Sequence, residues 1–348
     1  MSPRPLRILM VTCEWPRQSW GGTAHFIVRQ AEFLRAAGVE VDVFEFISGK
    51  MPHRYARAWL EVRRRMRKGS YDAVHAQFGQ SGLVALPASR PLVVTFRGDD
   101  VEGELSDVHG RHTMVGRVMP RVSRFVARRA DAVIVVSAHL GDHLGPLSAP
   151  VHVIPSGINL ELFRPIPKAE ALQALGLPAD RRRVLFVGSP HMARKRFALA
   201  QAAVARLNER LPVEIVVGWQ VPHNDIPLLM NACDALVFTS LQEGSPNAVK
   251  ESLACDLPVV SVPVGDVADR LEGIEGCELC SDDKVETIAN ALERVLRRGQ
   301  RVDGHTAVAS LDERLLTQRV IGVYRSAATA WERRRAKMPG AAAREVDG

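Results

Sequence analysis

The chain has 348 residues, 46% of them hydrophobic and 24% charged, and a formal net charge of +7. That length is long for one domain and comfortable for two, the composition excludes a disordered chain, and no apolar run reaches the roughly 18 residues that a membrane span requires. The charge is lopsided: residues 1–165 carry 22 Lys/Arg against 15 Asp/Glu, and residues 166–348 carry 24 against 24, so the first half is expected to face an anionic partner.

Apolar residues come in short, strand-like runs. RILMVTCE is the first, followed by the turn-rich WPRQSWGGTA and a helical pattern, HFIVRQAEFLRAAG, that Gly38 stops. VEVDVFEF, YDAVHAQF, LVVTFRG, DAVIVVS and VHVIPSG follow, most of them separated by helical or loop segments. A second set then begins with RVLFVGS, VEIVVGW, DALVFTS, LPVVSVP and CELCS. Helical patterns in FALAQAAVARLNERL, IPLLMNAC, SPNAVKESLAC and KVETIANALERVLRRG intervene. Strand–helix–strand alternation marks parallel sheets covered by helices on both faces. The stretch INLELFRPIPKAEALQALGLPAD, with three prolines and no strand pattern, separates the two sets. The expectation is an α/β protein of two doubly wound, Rossmann-like domains, residues 1–165 and 166–311, facing each other across a cleft. Residues 312–338 read as a long helix crossing back to the first domain, and residues 339–348 as a disordered tail.

The start, MSPRPLRILMVTCEWP, has no small-residue cleavage site after its apolar stretch, so a cytoplasmic setting is expected. Five scattered cysteines (13, 233, 255, 277 and 280) fit reduced thiols better than a disulfide framework. The single CxxC of Cys277 and Cys280 lacks the partners of a zinc site.

Ligands of such sheets bind beyond the carboxyl ends of the strands, so the loops there hold the candidate residues. In EGSPNAVKE, residues 243–251, Ser245 and Pro246 suit the cap and first turn of a helix. Its free N–H groups, from Gly244 to Asn247, would make an anion site. Glu243 and Glu251 flank that site and suit hydroxyl binding at the two ends of a diol–diphosphate–sugar ligand. The plainer reading is a solvated loop acid and a surface helix acid. In FVGSPHMARKRF a strand ends in Gly188, and Arg194, Lys195 and Arg196 could neutralise a diphosphate. Gly21 and Gly22 of SWGGTA permit close backbone approach. TFRGDD brings Arg97 and Asp100 to another strand end.

Taken together, these elements resemble the GT-B retaining glycosyltransferases of family 4, the glycogen-synthase-like group 1 transferases. The resemblance spans nearly the whole chain. It rests on the GG loop, the HGxD-like RGDD, VIPSGIN before Phe163, the strand-end element from Gly188 to Lys195, and above all E-x7-E from Glu243 to Glu251. The stretch EGSPNAVKESLACDLPVVSVPVGDV looks closest to bacterial surface-polysaccharide transferases. The resemblance implies metal-independent, retaining transfer of a sugar from a nucleotide-diphosphate sugar, with no cofactor. The acceptor would be a hydroxyl of a glycan, a lipid-linked molecule or a small molecule. It also implies roles: Lys195 on the diphosphate, Glu251 on the ribose, Glu243 on the donor sugar, and the amides around Ser245, Pro246 and Asn247 on phosphate. Gly22 would let the first domain close, and Trp219 and Val221 would line the base pocket. Three positions depart from the pattern. Arg97 stands where the family often has His, and an Arg cannot shuttle a proton. Ser189 stands where an Arg is usual, so Arg194 would supply the second charge. ACD replaces ACG, a change a turn tolerates.

Residues 54–69, RYARAWLEVRRRMRKG, read as an amphipathic helix with a solvated basic face, or as a patch for the inner face of an anionic membrane. The acidic cluster Asp99, Asp100, Glu102 and Glu104 reads as solvated, and no histidines have metal-ligand spacing. Aromatics at 5% and the lack of a recognised module argue against nucleic acid. Two alternatives stand: a nucleotide-sugar-binding protein with decayed catalysis, and another GT-B enzyme such as an epimerase or phosphorylase.

Overall fold

The computed structural model describes residues 4–15, 25–49 and 51–337. β1 (Arg7–Thr12), β2 (Glu40–Glu45), β3 (Ala73–Gln77), β4 (Leu92–Phe96), β5 (Ala132–Val135) and β6 (Val151–Val153) form a sheet in the order β2-β1-β3-β4-β5-β6. β7 (Arg182–Val187), β8 (Val213–Gly218), β9 (Ala235–Phe238), β10 (Val259–Ser261) and β11 (Glu278–Leu279) form a second sheet, ordered β11-β10-β9-β7-β8. Every neighbouring pair is parallel. The strand runs of the sequence are therefore all strands, and the fold is two parallel-sheet α/β domains, typical of GT-B proteins.

Helices cover both faces of both sheets. The first domain contributes α1 (His25–Ala36), α2 (Pro52–Lys68), α3 (Phe78–Ala85), α4 (Asp99–Glu102), α5 (Met114–Ala127) and α6 (Ala138–Leu144). After it come α7 (Lys168–Leu175), which the proline-rich linker carries, and α8 (Phe197–Asn208), α9 (Ile226–Ala232), α10 (Asn247–Ala254), α11 (Val267–Leu271), α12 (Val285–Arg298), α13 (Gly304–Ala307) and α14 (Glu313–Ala336). The period of two is visible in β4: Leu92, Val94 and Phe96 pack on α2, α3 and α5, whereas Val93 packs on α1 and α14.

The chain passes between the domains twice, and the passages lie side by side. The Ile158 N–H donates to the Leu311 carbonyl, and the Glu313 N–H donates to the Ile158 carbonyl, both at 2.9 Å. α14 then runs beneath the first sheet, burying Leu316, Val320, Tyr324 and Ala327 against Ile8, Met10 and Ile27. Tyr324 is fully buried, with its hydroxyl 2.6 Å from Nδ1 of His75, whose Nε2 lies 2.7 Å from the Thr95 hydroxyl. Burial, with the Arg97 charge nearby, pushes His75 down to about 3, so the ring is neutral. Tyr324→Ala therefore empties a core site and strips His75 of a partner. The expected cost is about 3–5 kcal/mol, read as a lower urea midpoint. Tyr324→Phe keeps the shape and is expected to cost about 1–3 kcal/mol.

Candidate active site

The order of the second sheet decides where its site lies. β7 sits between β8 and β9, so the chain leaves β7 and β9 toward opposite faces, and a crevice opens between their carboxyl ends. The loop after β7 carries Arg194 and Lys195; the loop after β9 carries Glu243. They meet there. Glu243 Oε1 accepts from Lys195 Nζ at 2.6 Å and from Arg194 Nη1 at 2.8 Å. Burial pushes the Glu243 carboxyl up, but Lys195 and Arg194 outweigh it and hold it below its usual range. Gly188 is a glycine because of its φ of +130°, and the Lys195 stem packs beside it. Arg196 points elsewhere, to the Thr239 carbonyl and to Asp283.

Helix α10 starts at Asn247 with Pro246 as its cap. This differs from the cap expected at Ser245: Pro246 is extended, φ −69° and ψ 120°, so the first turn begins after it. The Ser245 hydroxyl and the Asn247 side-chain oxygen are buried without a hydrogen-bond partner. Two unsatisfied polar atoms at the start of a helix with free amides can take a polar ligand.

The first domain brings its RGDD loop against this crevice. A Cβ on Gly244 would stand 2.3 Å from the Arg97 carbonyl oxygen, so the two domains touch backbone to backbone at that point. Arg97 Nη1 donates to the Ser156 hydroxyl at 2.6 Å, and Nη2 donates to Gln77 Oε1 at 2.8 Å and Gln30 Oε1 at 3.3 Å. Its guanidinium lies 4.6 Å from the Phe26 ring centre. Burial lowers it to about 10, which leaves it cationic at neutral pH. Asp100 is not available to a ligand, contrary to the sequence expectation. Its carboxylate accepts the N–H groups of Arg97, Gly98 and Gly79, at 3.0, 3.1 and 3.2 Å, and fixes the loop. The other acids of the cluster disperse: Asp99 lies 3.7 Å from Arg194, Glu102 lies 3.8 Å from His139, and Glu104 accepts from Thr113. Among the described residues no three His, Cys, Asp or Glu side chains are grouped to hold a metal ion.

Glu251 is buried on α10, 3.8 Å from Nη1 of Arg29 on α1. Burial raises its carboxyl, and Arg29 and Lys250 oppose the rise. Of the expected base pocket, Trp219 is half-buried and Val221 packs on the core. Gly21 and Gly22 lie outside the described residues.

A model of Glycosyltransferase Family 4 matches residues 20–162, and a model of Glycosyl transferases group 1 matches residues 169–298. The two matches lie one in each domain, and in both the chain is similar to the group 1 glycosyltransferases. The D-inositol 3-phosphate glycosyltransferases of Mycobacterium bovis and Mycobacterium tuberculosis are 29% identical to it over 274 residues, 66% of this chain and 55% of theirs. The chain thus matches only about half the length of these relatives. Sucrose-phosphate synthase from Thermosynechococcus elongatus has the same fold, with a TM-score of 0.78, 21% identity and coverage of 93% of this chain and 100% of that one. Anabaena HepE in complex with UDP superposes with a TM-score of 0.67 at 18% identity, over 92% of this chain and 100% of that one.

Several site residues carry no motif that would reveal them. Arg29 donates to Glu313 at 3.0 Å and to the Gly157 carbonyl at 2.7 Å, so one guanidinium holds both inter-domain passages as well as Glu251. His223, after β8, stacks on His25 of α1 with ring centres 5.3 Å apart, and burial, Arg29 and His25 push it down to about 4. Lys250 is fully buried and donates to the Ser156 carbonyl at 2.8 Å. Only its place inside E-x7-E hints at it, because helical periodicity cannot separate a snorkelling lysine from a buried one.

Gly244→Ala is expected to force the two loops apart by its clash with Arg97, lowering donor affinity by at least about tenfold in a titration while leaving the core intact. Lys250 yields a pH prediction. Burial lowers it from 10.5 to about 7. Between those values the unfolded chain holds a proton that the folded chain releases, so this residue makes stability rise with pH across that window. Lys250→Met is therefore expected to raise Tm at pH 7 and to lose that advantage as the pH approaches 10.5. A thermal melt series over this range checks it.

Proposed function

We propose that the protein moves a sugar from a nucleotide-diphosphate sugar to an acceptor hydroxyl, with retention of configuration and without a metal. The observation that carries this reading is the convergence of Lys195, Arg194 and Glu243 beside the unsatisfied Ser245 and Asn247 at the start of α10. An incoming diphosphate takes over the two cations and frees Glu243 for hydroxyls of the donor sugar. Glu251 receives the ribose, with Arg29 between it and His223 of the His223–His25 stack, and Trp219 and Val221 line the base pocket. HepE is known with UDP and with UDP-glucose, which makes a uridine donor the first to try.

Bond breaking leaves positive charge on the sugar ring and added negative charge on the diphosphate. Fixed cations and amides stabilise that state more than the ground state. Arg97 keeps its charge and takes no proton. The leaving phosphate itself therefore receives the acceptor proton, on the face where the new bond forms. The acceptor is a hydroxyl of a glycan, a lipid-linked molecule or a small molecule, and the arginines between residues 54 and 69, on α2, touch an anionic membrane. Nucleic acid is not a partner in this reading.

Lys195→Ala is expected to lower turnover by about 10²–10³, the scale of one lost transition-state donor. Glu251→Ala is expected chiefly to weaken nucleotide binding. The check is a thermal shift against UDP-, GDP-, ADP- and dTDP-sugars, paired with an assay for released nucleoside diphosphate. No shift with any donor overturns the reading. A shift without turnover on any acceptor favours the decayed binding protein instead.

A further inference from the structure

Helix α5 wears its apolar residues on the outside. Met114, Val118 and Phe125 fall on one stripe and are 76%, 50% and 43% exposed. The opposite face, with Gly116, Ser123, Val126 and Ala127, is the one that packs on the domain. The stripe is therefore not a core face that lost its cover. Arg117, Arg121, Arg124, Arg128 and Arg129 surround it, and no acidic residue lies between Met114 and Ala130. Among the described residues none of these five arginines forms an ion pair. Arg129 lies over the Phe125 ring, 3.7 Å from its centre.

The surroundings extend the same character. α3 packs against α5 on one side and α2 on the other, so the three helices form one layer on the first sheet. Its outer side also exposes Leu60 at 58%, with Trp59 and Leu83 partly open. The layer meets the crevice at the start of α5. Gly116 packs on the Glu104 backbone, and the Gly103 carbonyl accepts from Gln242, the neighbour of Glu243, at 3.0 Å.

We infer that the Met114–Val118–Phe125 ridge of α5 inserts into the headgroup region of an anionic bilayer, with the α2 arginines lying on its surface and the crevice opening beside it. A basic face with an apolar ridge is what an interfacial helix needs, and the two contributions reinforce each other. The α5 surface, Arg-rich and without carboxylates, is complementary to anionic lipid and not to a neutral protein face; on α2, Arg64 and Arg65 pair with Glu61 and Asp42. The inference rests on the membrane reading of α2 and names the element that anchors it.

Vesicle sedimentation with the full chain tests it. The protein is expected to bind vesicles containing about 30% phosphatidylglycerol at least tenfold more tightly than pure phosphatidylcholine vesicles, and to lose most of that at 0.5 M salt. Val118→Glu/Phe125→Glu, which alters only exposed positions, is expected to lose at least about tenfold of the binding. Its Tm and its thermal shift with nucleotide-sugars should match the parent. Unchanged vesicle binding by this variant overturns the inference. So does a parent that ignores anionic vesicles and self-associates through the ridge, or binds RNA in preference. Because the nucleotide shift is read on the same samples, failure of the membrane inference is distinguishable from failure of the transferase reading.

Discussion

Two cations cannot be left unneutralised at the mouth of a buried sheet, and the second domain of this protein is arranged around that constraint. Arg194 and Lys195 are brought to the crevice by the loop after β7, and Glu243 is brought by the loop after β9. Without ligand the carboxylate is the only negative group within hydrogen-bond reach of Lys195 among the described residues. The triad is thus a stored electrostatic arrangement. Its desolvation cost has already been met by the fold, and a ligand that replaces Glu243 with phosphate oxygens exchanges one set of charge-assisted bonds for another. A site of this kind selects for anions that reach both cations at once.

The same constraint explains the contact between domains. Arg29 joins Glu251 of α10 to Glu313 and to the Gly157 carbonyl, so the position of α10 is tied to the two passages that connect the domains. Gly244 lies against the Arg97 carbonyl with no room for a side chain. The two loops that border the crevice therefore come from different domains and are locked in register by backbone contact on one side and a buried guanidinium on the other. Relative domain motion acts on both together.

Much of this was legible in the sequence. Parallel strands buried on both faces read as continuous apolar runs, so VLFV and ALVF announced themselves, and their carboxyl ends pointed to Lys195 and Glu243. The remainder depended on three-dimensional facts that leave no local trace. Asp100 has the look of a ligand but is consumed by the amides of Arg97 and Gly98 in its own turn and of Gly79 in the first turn of α3. Ser245 precedes a proline, which pattern reading takes for a cap, yet the extended Pro246 moves the start of α10 to Asn247. Arg29 and Lys250 are charged residues inside helices, and periodicity assigns such residues to solvent. The outward ridge of α5 is the converse case: Met114, Val118 and Phe125 have the spacing of a core stripe, and only the packing of Gly116 and Ser123 inward reveals that the apolar side faces out.

Arg97 and Lys250 belong together in the electrostatic account. Each bonds to Ser156, one to its hydroxyl and the other to its carbonyl, and neither forms a salt bridge among the described residues. Burial pulls both below their ordinary values, Arg97 to about 10 and Lys250 to about 7. Lys195 and Arg194 already share a carboxylate; these two do not. The carboxylates of Asp100, Glu313 and Glu14 offset part of the burial at Arg97, as those of Asp266 and Glu251 do at Lys250. Under the proposed function, a bound diphosphate favours the charged form of the cations it reaches, so ligand and cations stabilise one another. A histidine in place of Arg97 could lose its charge near neutral pH, whereas the guanidinium keeps it. The departure from the family pattern at that position trades a titratable group for a fixed one, which suits a reaction whose proton goes to the leaving phosphate.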